Sequence, residues 1–180
     1  VRLEGVRHGF RVVVVSPERA RALGHRPVHL LGAGEKLTHR AISKAPSLTS
    51  GPLKPAMAQA LAQAGVGVEQ MSLLSLYDCY TIMVALTIED AGLCAPGHFG
   101  YWLADHRLGF DGDKPLNTHG GQLGFGQPDL AGGMTHVVEA VRQLRHTAGR
   151  RQIRNAELAL VTGNGATVSE AVALVLGADA

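Results

Sequence analysis

The sequence predicts an α/β fold, a mixed and mainly parallel sheet flanked by helices, with an antiparallel hairpin at its end. Three observations carry that reading. Short apolar, β-branched runs alternate with longer segments of helical period. Serine, proline and glycine punctuate the joints between them. The last two apolar runs follow one another with only Gly163-Asn164-Gly165 between them, a hairpin-type signal. Alternation of this kind implies parallel strands joined by helical crossovers.

Residues 11–16, Arg-Val-Val-Val-Val-Ser, are short and β-branched, which fits a strand buried on both faces. Ser16 is placed to cap a short helix, with Pro17 at its first position, Glu18 in its first turn and Gly24 at its end. Pro27 to Leu31 reads as a second strand, ended by Gly32-Ala33-Gly34. Residues 35–50 are polar and irregular. Gly51-Pro52 opens a helix with Met57, Ala58, Leu61 and Ala62 on one face, stopped by Gly65 and Gly67. Met71 to Leu76 is a third strand. A helix over 79–91 carries Ile82, Met83 and Leu86, then an acidic end at Glu89-Asp90 and a stop at Gly92. From Leu93 to Gln127 periodicity fades and glycines multiply. A stretch of that length is functional or disordered, and Phe99, Tyr101, Trp102, Phe110 and Phe125 favour order. The strongest helical stripe lies over 129–145: Leu130, Met134, Val137, Val138, Val141 and Leu144, with Glu139, Arg142 and Arg145 opposite. Two strands, Glu157–Thr162 and Ala171–Leu176, end the order of elements.

At 180 residues the chain suits one domain, or half of a larger one. A composition 46% hydrophobic and 18% charged supports a packed core and argues against disorder. A net charge of +2 without a long basic run gives no reason to expect nucleic acid or anionic lipid as partner. No apolar stretch approaches the roughly 18 residues of a membrane span. Cys79 and Cys94 are too few for a disulfide scaffold, so a reducing, cytoplasmic setting is expected. The chain opens at Val1 rather than methionine, which points to a fragment, a processed chain or a subunit cut from a longer ancestor.

Tyr77-Asp78-Cys79-Tyr80 falls where a strand ends and a helix begins, the edge at which α/β sheets bind ligands. The plain alternative is Asp78 as a helix N-cap and Tyr77 as a packing wedge. Asn117-Thr118-His119-Gly120-Gly121-Gln122-Leu123 joins an amide, a hydroxyl and an imidazole to two glycines. Such a loop brings backbone N–H groups and a general base against a ligand. Its rival is a glycine-rich turn with an incidental histidine. The nine histidines show no metal-ligand spacing and no paired cysteines accompany them, so no metal is expected. Arg142, Arg145, Arg150, Arg151 and Arg154 form a loose basic cluster, read as solvated surface, with contact to an anionic cofactor or partner as the lesser alternative.

Several segments carry a family likeness as a set. They are Val13-Val14-Val15-Ser16-Pro17-Glu18-Arg19-Ala20, Leu76-Tyr77-Asp78-Cys79-Tyr80-Thr81-Ile82, and Leu86-Thr87-Ile88-Glu89-Asp90-Ala91-Gly92-Leu93-Cys94. Leu116 to Leu123, Glu139 to Arg145 and Ala159 to Gly165 complete the set. In that order they resemble the C-terminal half of the thiolase superfamily, nearest to its lipid-transfer-protein and sterol-carrier type. That type includes the thiolase-like aldolases of steroid side-chain breakdown. The resemblance implies two βαβαβαββ halves whose sheets sandwich buried helices. On that map residues 1–26 are the tail of an N-terminal half and 27–180 the C-terminal-like domain. The half that carries the nucleophilic cysteine of true thiolases is not among them.

The departures shape the functional expectation. The catalytic histidine of a degradative thiolase falls at Gln127, and its second catalytic cysteine near Val161. Glutamine is no proton-transfer base near neutral pH and valine has nothing to donate. Ordinary thiolase chemistry is therefore not expected. Aldolase-like members are similar in having tyrosine at the Tyr77 position. The resemblance thus implies retro-aldol cleavage of an acyl-CoA thioester, with coenzyme A as part of the substrate and no tightly bound cofactor. The candidate catalytic residues are Tyr77, His119 and Asp78; Asn117, Gly120, Gly121 and Gln127 are candidates for binding substrate. Two alternatives stand beside this: an acyltransferase completed by a separate N-terminal half, and a non-catalytic acyl-CoA-binding subunit of a heteromer. A homo-oligomer, a subunit supplying the missing half, and a small OB-fold protein are the expected partners.

Overall fold

The computed structural model describes residues 12–127, 131–165 and 168–178. Strands β1 (Val28–Leu37), β2 (Leu73–Ser75), β3 (Leu158–Gly165) and β4 (Glu170–Ala178) form one sheet in the order β1-β4-β3-β2. The sheet is mixed, as expected, but the balance is reversed. β1–β4 and β3–β4 are antiparallel, and only β2–β3 is parallel. The reason is that β4 lies between β1 and β3 and runs against both.

The helices are α1 (Pro17–Ala22), α2 (Leu53–Ala64), α3 (Thr81–Asp90), α4 (Phe99–Asp105), α5 (Gly121–Phe125) and α6 (Gly132–Leu144). The Ser16 side chain accepts from the Arg19 N–H at the start of α1, as the Ser-Pro-Glu signal implies. Two hydrophobic clusters use alternate residues of the same strands, and successive strand residues face opposite sides. Leu74, Leu160, Ala173 and Val175 pack with Met57 of α2, Ile88 of α3 and Trp102 of α4. Leu73, Ala159, Val161 and Leu176 pack with Ala140 and Leu144 of α6. Helices therefore cover both faces. Among the described residues no helix is long and apolar enough to cross a membrane.

Several local expectations are corrected. Val12–Val15 form no strand: a strand's backbone groups need a neighbouring strand, and Val13 and Val14 are 78% and 89% exposed. Residue 11 of that segment lies outside the described residues. Gly32 and Gly34 do not end β1 but lie inside it. A Cβ at either would overlap the carbonyl oxygen of Ala60 or Ala56 on α2, so these glycines let strand and helix backbones touch. The buried side of α2 is Leu53, Ala56, Met57 and Ala60, with Ala58 and Ala62 exposed.

The stretch 93–127 is ordered, as its aromatics suggest, and contains α4 and α5. Gly163-Asn164-Gly165 belongs to β3 rather than to a turn, paired with Val172, Ala171 and Glu170. The chain reverses after Gly165, partly within residues 166–167, which lie outside the described residues. Of the α6 stripe, Leu130 is also outside them, Met134 is 39% exposed, and Glu139 is buried at 1%. The face of α6 turned inward is Thr135, His136, Glu139, Ala140, Gln143 and Leu144.

Candidate active site

The site forms where the chain leaves β2. Leu116 bridges Leu74 in parallel, and the Asn117 N–H donates to the Leu74 carbonyl (2.9 Å). The Asn117 side chain then clamps Leu76, accepting from its N–H and donating to its carbonyl, both at 2.8 Å. This brings the turn 117–121 alongside Leu76-Tyr77-Asp78. Asn117 lies in the left-handed region (φ 45°), which asparagine tolerates better than most residues.

Asp78 is 4% exposed and does not cap its own following helix, whose N-cap is Tyr80. It reaches across to α5 instead. The Gln122 N–H donates to Oδ1 (2.8 Å) and the Leu123 N–H to Oδ2 (3.5 Å). Gly121, at φ +63°, makes that reach possible, since a Cβ there would overlap the Asp78 carboxylate. Burial alone would raise the Asp78 pKa, but hydrogen bonds from His136 and the α5 backbone outweigh it and hold it below the ordinary value.

His136 stands behind this carboxylate, fully buried, with Nε2 3.3 Å from Asp78 Oδ1 and Nδ1 3.2 Å from Ser75 Oγ. The tyrosine and histidine singled out from the sequence flank it. Its ring centroid is 6.1 Å from that of Tyr77 and 5.2 Å from that of His119, the latter edge-on. The Tyr77 N–H donates to Thr162 Oγ1 (3.0 Å), which fixes the strand exit. His119 has both ring nitrogens buried without a partner. Burial, reinforced by the neighbouring His136, pushes its pKa down to about 4, so its ring is neutral near pH 7.

Gly120, at φ +103°, begins α5. Gln127 is exposed, and its amide oxygen crowds the same point beside Gly132 as that of Gln122. Gln122 is 4% exposed, with Oε1 buried and unpartnered.

A second buried network adjoins the first. Arg151 donates from Nε and Nη2 to the Glu139 carboxylate (2.9–3.1 Å), and Thr118 donates to it at 2.7 Å. Gln143 donates to Glu139 as well (3.0 Å) and accepts from the Ile153 N–H (2.9 Å). Burial pushes the Glu139 carboxyl up, yet these donors win and hold it below the ordinary value. Of the arginine cluster, then, Arg151 is a structural ion-pair partner rather than solvated surface. A cavity of about 130 Å³ lies over this network, lined by His119, Phe125, Thr135, Val138, Glu139, Arg142 and Arg151. A larger apolar cavity of about 470 Å³ opens elsewhere, between residues 38–53 and the Ile82-Met83-Leu86 side of α3.

Ser75, Gln122, His136, Glu139 and Arg151 were not singled out for the site from sequence. A signal existed: Thr135, His136, Glu139 and Gln143 follow helical spacing as closely as the valines do. Val161, near which the resemblance puts the family's second cysteine, is buried in β3 directly beside Ser75. Cys79 and Cys94 are free and half-buried, and burial raises both thiols. Among the described residues no three His, Cys, Asp or Glu side chains group to hold a metal ion.

Comparison with known proteins identifies the family. The steroid side-chain-cleaving aldolase of Thermomonospora curvata is 36% identical over 176 residues, covering 95% of this chain and 44% of that protein. The 17-hydroxy-3-oxo-4-pregnene-20-carboxyl-CoA lyase of Mycobacterium tuberculosis is 33% identical over 172 residues, 92% of this chain and 43% of that one. A solved structure titled Ltp2-ChsH2(DUF35) aldolase superposes with a TM-score of 0.81 at 34% identity, covering 92% of this chain and 43% of its own. The chain thus spans less than half the length of these relatives. The thiolase C-terminal domain-like family matches residues 34–178, and the chain belongs to that family.

Proposed function

We propose that the complete protein containing this chain cleaves a carbon–carbon bond of a β-hydroxyacyl-CoA thioester by a retro-aldol reaction, in the breakdown of a steroid or fatty-acid side chain. The observation that carries this reading is the convergence of Tyr77 and His119 on the buried His136–Asp78 pair. The names of two relatives, a side-chain-cleaving aldolase and a carboxyl-CoA lyase, point the same way.

In the proposed reaction Tyr77 accepts the proton of the β-hydroxyl. The bond between the α and β carbons breaks, its electron pair passes into the thioester enolate, and the β carbon leaves as a ketone or aldehyde. His119, neutral and unpartnered, relays that same proton from Tyr77 to the α carbon of the enolate, which returns Tyr77 to its starting state. The Gly121 N–H and the Gln127 amide bind the thioester, the Gly120 N–H being given to the Asn117 carbonyl (2.7 Å), while Asn117 acts through the turn it fixes. Coenzyme A enters and leaves as part of substrate and product.

We assign residues 27–180 as the C-terminal-like domain and 1–26 as the tail of an N-terminal half, and place the work in the cytoplasm. A partner, or a further segment of the same protein, supplies the other half, and exposed Val13, Val14 and Ile82 support such a cover. A small OB-fold protein is the further proposed partner.

The test uses the complete protein with a β-hydroxyacyl-CoA, following the carbonyl product and the shortened acyl-CoA by mass spectrometry. Cleavage should proceed without consuming free coenzyme A, and Tyr77→Phe should slow it by ~10²–10⁴-fold. Thiolysis of acetoacetyl-CoA in place of this cleavage would overturn the proposal.

A further inference from the structure

The larger cavity, of about 470 Å³, shares no lining residue with the smaller one beside His119. It is lined by the Ile82-Met83-Leu86 side of α3, by the segment 38–53 and by Val168. Its lining is mostly apolar, Ile42, Leu48 and Leu53 included, and its volume falls in the range of ligand pockets, roughly 300–1,000 Å³. The polar side chains on its wall are Thr38, His39, Ser47, Ser50 and Asp90. All but His39 find their partners inside the protein. The Ser50 hydroxyl and the Gly51 N–H donate to the Asp90 carboxylate at 2.6 and 3.0 Å. Ser47 Oγ accepts from the Thr49 and Ser50 N–H groups. Thr38 Oγ1 lies 2.8 Å from His39 Nδ1, which engages that side of the half-buried imidazole. The other ring nitrogen, Nε2, is buried with no partner. A buried polar atom left unpaired is costly, so its missing hydrogen bond asks for an explanation.

We propose that this cavity binds a compact apolar molecule carrying one hydroxyl group, its body against Ile42, Leu53, Met83 and Leu86 and its hydroxyl on His39 Nε2. A hydroxyl suits either tautomer of the ring: it donates to a bare Nε2 and accepts from Nε2–H. A wholly apolar occupant would leave that nitrogen unpaired, and an anionic head group would share the cavity with the Asp90 carboxylate. A hydroxysteroid and a fatty alcohol both have this chemistry. Ile82 on the cavity wall follows Tyr77 by five residues, so the two backbones are at most about 18 Å apart. Reading the occupant as the apolar body of the acyl-CoA substrate rests on the proposed retro-aldol reaction; the binding site itself does not.

The experiment measures binding to the complete protein, without coenzyme A, by displacement of a fluorescent apolar dye. The probes are 5α-androstan-3β-ol, its parent hydrocarbon 5α-androstane, and 1-dodecanol. At least one of the two alcohols should bind, and which one does tells a ring system from a chain. His39→Phe keeps a ring and removes both nitrogens. It should weaken that alcohol by about three- to tenfold, the worth of one hydrogen bond, and leave any binding of the hydrocarbon unchanged. A purely structural role for His39 would move alcohol and hydrocarbon together. Leu86→Trp narrows the cavity and should weaken every probe that binds. Binding of neither alcohol, or alcohol binding that neither substitution weakens, overturns the proposal, as does an equal loss of alcohol and hydrocarbon in His39→Phe. Should one variant not fold, the other decides. Alcohol binding together with absent cleavage would refute the proposed reaction and leave this site standing.

Discussion

The two faces of the sheet are built by opposite means. On the α2 face, Ala56 and Ala60 lie against Gly32 and Gly34, and the helix backbone reaches the strand. Stability there comes from close approach and dispersion among apolar side chains. On the α6 face the buried layer contains His136, Glu139, Gln143 and Thr135. Its polar groups are held by Asp78, Ser75, Arg151 and Thr118. The first face tolerates no added volume; the second tolerates no lost partner. The difference teaches where proton affinities are most moved: among the described residues the buried carboxylates Asp78 and Glu139 and the shifted His119 lie on or beside the α6 face, in a low-dielectric setting.

The comparison can be broken most directly on the α2 face. Gly34→Val sets side-chain atoms into the Ala56 carbonyl and should cost about 3 kcal/mol or more, losing the fold in circular dichroism or expression trials. A well-folded Gly34→Val protein would show that the close approach is dispensable.

Next comes the α6 network. Arg151→Ala leaves the Glu139 carboxylate buried with its chief partner gone. The cost should be about 2–3 kcal/mol by denaturant melts, less than for a fully buried pair because a third of the Arg151 side chain meets water. Glu139→Gln in the Arg151→Ala background should recover much of it, since the buried charge is then absent.

The faces should also part company in acid. Asp78 and Glu139 have native pKa values depressed below the ordinary ones. Their contribution is therefore present above the unfolded carboxylate range, about 4, and is lost as pH falls through their native values. His119 adds a loss at higher pH. Its native pKa of about 4 lies below the unfolded value of about 6.5, so between these the unfolded chain binds the extra proton and stability falls with pH. Thermal melts from pH 7 to pH 3 should show that decline, and His119→Gln should flatten its upper part. An unchanged slope in that variant would mean His119 is not buried as described.

The smallest effect belongs to the cysteines. Cys79→Ala and Cys94→Ala should each shift stability by about 0.5 kcal/mol and leave the proposed acyl-CoA cleavage unchanged. Loss of activity in a folded Cys79→Ala protein would mark a nucleophile that the reading above does not include.

Much of this was legible in the residues themselves, and what escaped shares one cause. Ser16-Pro17-Glu18 specified its own helix start, and Gly65 its helix end, because a cap depends on neighbours within one turn. Tyr77 and His119 were marked by the strand-to-helix junction and the glycine-rich turn around them. The inward face of α6 was misjudged because the valines suggested a purely apolar stripe. A polar residue is buried only when partners distant in sequence satisfy it, and Arg151, Thr118 and Asp78 are such partners. Likewise Gly32 and Gly34 looked like a strand end until α2 lay against them.

The sequence by itself determined the alternation of strands and helices, the family likeness and the segments in which chemistry is sought. Periodicity, capping and turn residues act over one or two turns of chain, so they are written locally. Only the tertiary structure decided that Asp78 reaches α5 rather than its own helix, that His136 joins it, and that Glu139 is inside. Each of those depends on groups 12 to 58 positions apart being brought within hydrogen-bond distance, which no local rule encodes.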